Sequence, residues 1–136
     1  MKIKTSELQG TALDWAVAKA WWGMERVSLG TFCRGGFFSL FHSRNDYLGV
    51  LVDSCPVRPS TSWKDGGPII EREWITLTPT RSGYWGAEII HAIPGPLDRY
   101  QWLLGSGSTP LIAAMRCYVT SKLGDEIDVP EELCND

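Results

Sequence analysis

One stretch of the chain gathers the side chains best suited to recognition chemistry. Ser60 to Glu73 reads Ser-Thr-Ser-Trp-Lys-Asp-Gly-Gly-Pro-Ile-Ile-Glu-Arg-Glu. Trp63 offers a face on which a planar ring can stack. Gly66 and Gly67 permit an unusual backbone path, and their amides, leading into a helix, would form a nest for an anion. Glu71 can accept from a ligand hydroxyl or amine, and Arg58 can meet an anion. With Tyr84 nearby, Trp63, Gly66, Gly67, Glu71 and Arg58 form the candidate ligand-binding set. The plainer alternative is a capped, kinked helix over 60–73, with Asp65, Glu71 and Glu73 as its solvated acidic face.

Catalytic patterns do not accompany these residues. No serine sits in a G-x-S-x-G elbow, and the Gly35-Gly36 and Gly66-Gly67 pairs fit neither the P-loop nor the dinucleotide fingerprint. His42 and His91 are the two histidines. His91 falls on the apolar face of a strand, where a core histidine is a better reading than a general base. Cys33, Cys55, Cys117 and Cys134 are widely spaced, with no C-x-x-C pair and no histidine at metal-ligand spacing. The expectation is a non-enzymatic binding protein with no metal and no cofactor.

Composition narrows the partners. The chain has 136 residues, 43% of them hydrophobic, with a net charge of −3. That length predicts one domain, 1–136. Phosphate binding rests on concentrated Lys and Arg, so a general nucleic-acid role is disfavoured. Met1 to Glu7 carries no apolar leader, and no run is long enough to span a bilayer. The reading is a cytosolic protein with reduced thiols and no membrane partner. Seven tryptophans supply much of the core area, with one or two expected at the surface. Trp21-Trp22 and Phe37-Phe38 each place aromatics on both sides of an element, which predicts a homo-oligomer.

The elements that must position these residues follow from periodicity. A first helix starts near Thr5 or Ser6, with Ser6 and Gln9 as a capping box, and stops at Gly23. Candidate strands cover Arg26–Cys33, Phe37–Phe41 and Tyr47–Val52, with a hairpin turn at Arg34-Gly35-Gly36. Asp53 to Pro59 reads as a loop. Ser60 or Thr61 caps a second helix, which is either kinked at Pro68 or begins there. Trp74–Thr78 and Tyr84–Ile93 alternate as strands, with a turn at Thr80–Gly83. Pro94-Gly95-Pro96 ends the second strand, and Gly105-Ser106-Gly107-Ser108 reads as a flexible link. Thr109 caps the last helix, Pro110 opens it and Gly124 closes it. Residues 125–136 form an acidic tail, draped on the surface. The sum is an α+β domain: a mainly antiparallel sheet packed with N- and C-terminal helices.

Three segments carry a resemblance. They are Met1–Leu8 with Ala12–Ala18, Pro59–Trp63 with Gly66–Glu73, and Thr109–Val119 with Ser121–Glu126. Together they resemble the NinX-type proteins of tailed phages and enterobacterial prophages, over roughly half of the chain. Ser62 stands where the family pattern has an Asp after Ser-Thr, with Asp65 close by. The resemblance implies phage origin, an accessory role in the host cytoplasm and a small α-β-α layout. Small phage accessory proteins without catalytic motifs often act by binding. Capture of a nucleotide-like signal of host defence is the first expectation. Assistance to phage DNA replication or recombination, through protein or DNA contacts, is the alternative.

Overall fold

The computed structural model describes residues 1–22, 37–38 and 56–134, with backbone alone for Trp22, Phe37, Phe38, Pro56, Val57 and Glu132. Strands are β1 Lys2–Lys4, β2 Phe37–Phe38, β3 Pro56–Val57, β4 Thr76–Pro79, β5 Trp85–Ile93, β6 Arg99–Gly107 and β7 Glu126–Asp128. Helices are α1 Gly10–Trp22, α2 Trp63–Glu73 and α3 Pro110–Leu123. The fold is α+β, and every strand pair among the described residues is antiparallel. Gly23, His42, Cys33, Cys55, the turn at Arg34-Gly35-Gly36 and the strands proposed at 26–33 and 47–52 lie outside the described residues.

Helix α3 is the centre of the packing, and local sequence explains its limits. Thr109 Oγ1 accepts from Ile112 N at 3.1 Å, Pro110 occupies the first turn, and Gly124 ends the helix at φ 92°. Its buried residues cover about two thirds of the circumference: Leu111, Ala113, Ala114, Met115, Cys117, Tyr118 and Val119. It lies between the β4-β5-β6 sheet and the pair α1 and α2. Each fully buried large side chain there contributes about 1.5–3 kcal/mol.

Strand β6 corrects the sequence reading most. The segment taken as a flexible link is the end of a nine-residue strand. It pairs with β5 along its length, from Trp85↔Gly107 to Ile93↔Arg99. The glycines are there for approach, not for mobility. A Cβ on Gly105 would stand 2.6 Å from Cys117 N, and one on Gly107 would stand 2.8 Å from Ala113 N. Only a side chain of hydrogen lets the backbones of β6 and α3 come this close.

The ends differ from expectation too. Thr5–Glu7 is a 3-10 turn, so Ser6 does not cap α1. Thr5 is buried and donates to Gly124 O at 2.7 Å. The helix begins at Gly10, held at φ 57°, with Leu13 N donating to Gln9 O. The tail is not merely draped. Glu126–Asp128 pairs with Lys2–Lys4, and Ile127, Val129 and Leu133 are buried. Apolar residues alternate with the acids, so strand pairing sends them inward.

Two smaller corrections complete the frame. Pro56–Val57 pairs with Phe37–Phe38 rather than lying in a loop. Trp74 is not in a strand: it ends α2 in the left-handed region, φ 55°, donating to Glu71 O and Ile70 O. The α-β-α layout holds on one side only. No described helix packs against the outer face of the β4-β5-β6 sheet.

Candidate functional site

The six sequence-predicted site residues do not converge. Trp63 opens α2 and is 55% exposed. Arg58 is exposed, and its backbone N donates to Asp65 Oδ2 at 2.9 Å. Glu71 is also exposed, but it lies eight positions beyond Trp63 on the same helix, a rise of about 12 Å. Gly66 is buried inside α2, and its N–H is already given to Ser62 O at 2.8 Å. A Cβ there would meet Pro59 O at 2.5 Å and Leu111 Cδ2 at 2.7 Å. Gly66 is therefore a packing glycine. Gly67 is helical as well, so no open anion nest precedes the helix. Tyr84 stands just before β5, where its O accepts from Thr80 N at 2.8 Å, and its side chain is exposed.

The corner that keeps Trp63, Arg58 and Asp65 contains a residue the sequence reading passed over. Asp14, on α1, is 5% exposed, and its Oδ1 accepts from Ser60 N at 2.8 Å. Burial pushes its carboxyl up to about 6, opposed by the Ser60 hydrogen bond and the charge of Arg58. Ser60 Oγ is buried beside the same carboxyl, close enough to help hold its pKa down but short of a well-formed hydrogen bond. A carboxylate set among Ala12, Leu13, Trp15 and Ala16 was the available signal. It ties the start of α2 to α1.

A second surface is concave. An open groove of roughly 440 Å³ on the sheet is lined by Ser6, Thr78, Gly86, Ala87, Glu88, Leu104, Gly105 and Ser106. Arg116 on α3 fixes one wall. Its Nε donates to Leu8 O at 2.7 Å and its Nη1 to Ser106 O at 2.8 Å, joining the segment after Ser6 to β6. Partial burial lowers the Arg116 pKa, and the Tyr84 phenol opposes that shift. The three hydroxyls donate or accept, the Glu88 carboxylate accepts, and Leu104 gives an apolar wall. The groove was hidden from the sequence because 105–108 reads as a link.

Beyond the groove the same face turns apolar. By register, Glu88 stands beside Leu104, Ile90 beside Trp102 and Ala92 beside Tyr100. Trp102 is 58% exposed and Leu104 66%, and Ile90 and Tyr100 are exposed with them.

Cys117 and Cys134 are free thiols, and burial pushes Cys117 up to about 12, far from a reactive thiolate. Among the described residues no group of His, Cys, Asp and Glu is placed to hold a metal ion.

Comparison with known families decides the kinship. The family model described as Bacteriophage P22, NinX matches residues 4–122. The chain belongs to this family. The match spans α1, the α2 corner, the groove and nearly all of α3, so the geometry above lies within the family's own domain. Membership makes the chain a phage-type accessory protein. No curated protein matches it. No described helix is long and apolar enough to cross a membrane.

Proposed function

We propose that this phage accessory protein acts by binding, not catalysis, and that the groove on the outer sheet face takes a small polar, nucleotide-like ligand. In the host cytoplasm such capture would blunt a defence signal. The observation that carries this reading is the groove itself. At roughly 440 Å³ it falls within the range of about 300–1,000 Å³ typical of small-molecule sites. Glu88 would accept from a sugar hydroxyl or an exocyclic amine. Ser6, Thr78 and Ser106 would complete the polar contacts, and Tyr84, close enough to Arg116 to act on its charge, offers a stacking plane beside the groove. Arg116, which braces the wall but does not line the groove, spends two donors on backbone carbonyls. The base and sugar end would therefore enter, and phosphates would face water.

The α2 corner is the second location, favoured by half-exposed Trp63 close in sequence to exposed Arg58. Small molecules released from purified protein would be identified by mass spectrometry, and their affinity measured by calorimetry. Glu88→Gln should weaken binding by about tenfold or more, the loss of one charge-assisted hydrogen bond. Trp63→Ala should leave it unchanged. The reverse outcome moves the site to the corner. Loss in neither variant, with salt-sensitive DNA binding instead, would favour the replication or recombination alternative.

A further inference from the structure

From Ala92 through Trp102 every residue is exposed. These residues form the outer half of the β5–β6 hairpin, which runs on past the core while keeping its pairing register to Ile93↔Arg99. A two-stranded ribbon with neither face packed is marginal in water. This one also carries apolar side chains outward: Ile90 and Trp102 as a cross-strand pair, with Tyr100 and Leu104 on either side.

We propose that this face is the interface between two copies of the chain, packed sheet against sheet about a two-fold axis near the Ile90–Trp102 pair. Area supports the assignment. The exposed parts of those four side chains amount to roughly 500 Å² per copy, so a symmetric pair buries about 1,000 Å², the size a biological interface must clear. Charge supports a like-with-like contact. In an isologous interface each patch meets itself, so charges near the axis would repel. Along the outward positions of β4, β5 and β6 the charged residue is Glu88, one step along β5 from Ile90 and off the axis. Trp and Tyr at the centre with few charges is the composition of an interface core. The pairing also sets a second copy beside the groove, with Leu104 shared between them. It does not depend on the groove's holding a ligand.

Sedimentation velocity of the full chain tests this. Wild-type protein should move as a dimer, twice 15.2 kDa. Trp102→Glu should raise the dimer dissociation constant by about 30-fold or more, as expected for a central aromatic. Tyr100→Lys, chosen in case the first variant folds poorly, should act in the same direction. Trp63→Lys, on the far helix, should leave the dimer intact. A wild-type chain that stays at 15.2 kDa at several hundred micromolar overturns the proposal. So does a folded Trp102→Glu or Tyr100→Lys variant that dimerises as tightly as wild type. Because ligand binding is read separately by calorimetry, loss of one result leaves the other standing.

Discussion

Leu104 and Gly105 are neighbours on β6 and face opposite worlds. Gly105 lies against the backbone of α3, with no room for a methyl group. Leu104 is mostly in solvent, on a face that no described helix covers. The inner face is governed by close packing, where each missing or added carbon is felt. The outer face gains the fold little, because its side chains stay wet. Apolar residues kept there point to something other than the stability of one chain.

The largest effect should come from breaking the inner side. Gly105→Ala places a Cβ 2.6 Å from Cys117 N and 2.7 Å from Ala113 O, both backbone atoms of the central helix. Neither can swing away as a side chain would. Urea denaturation should show a loss of about 3 kcal/mol, the upper end of ordinary overpacking. Leu104→Ala, measured dilute enough to keep the chain monomeric, should stay within about 0.5 kcal/mol of wild type. Equal losses at the two positions would erase the distinction between the faces.

The same contrast explains what the sequence could tell. Thr109, Pro110 and Gly124 are local signals, each acting within one turn of α3, and they can be read without neighbours. The apolar and β-branched run of β5 is local as well. Gly105-Ser106-Gly107 is different: close approach to another backbone and freedom from structure call for the same residue type. Only the presence of α3 overhead separates them. Gly66 misleads in the same way, since a nest and a packing contact both call for glycine. Pro68 is exposed within α2, so water can take the carbonyl bond it withholds and the helix continues. In the tail, acids outnumber Ile127, Val129 and Leu133, and the partner strand that orders them lies at the other end of the chain. The groove depends on register and on Arg116 bridging two segments, neither of which periodicity encodes.

Asp14 sharpens the comparison on the helical side, with a somewhat smaller effect. Its folded pKa is raised from 3.8 to about 6. Between those values the folded state keeps a proton that the unfolded chain gives up. Stability from this group is therefore full below pH 3.8 and falls as pH rises through about 6, by at most about 3 kcal/mol. Asp14→Asn should flatten that slope and match or exceed wild type at pH 7, because the amide oxygen still accepts from Ser60 N and its NH₂ can donate to the Ser60 Oγ beside it. Asp14→Ala orphans the Ser60 N–H and should lose about 1–3 kcal/mol even at pH 4. Denaturation midpoints across pH 4–8 measure all three. A wild-type slope that survives in the Asn variant would assign the pH dependence to another group.

The smallest effect sits where the two regions join. Trp74 ends α2 and leads into β4, 86% exposed and at φ 55°. A left-handed conformation costs a residue with a Cβ roughly 1–2 kcal/mol. Glycine would relieve that cost but lose about 0.5–1 kcal/mol of backbone entropy on folding. The difference favours the variant, so Trp74→Gly should raise stability by about 0.5 kcal/mol. The helix-ending bonds to Glu71 O and Ile70 O use the backbone alone and should survive. Trp74→Asn tolerates the same conformation without glycine's entropy loss and should gain at least as much. If both variants are instead less stable, the exposed indole holds the α2–β4 junction and its surface position is structural. If both gain, Trp74 joins Trp102 as an aromatic kept on the surface at some expense to the fold, and the sedimentation and calorimetric assays above should then be repeated on Trp74→Gly.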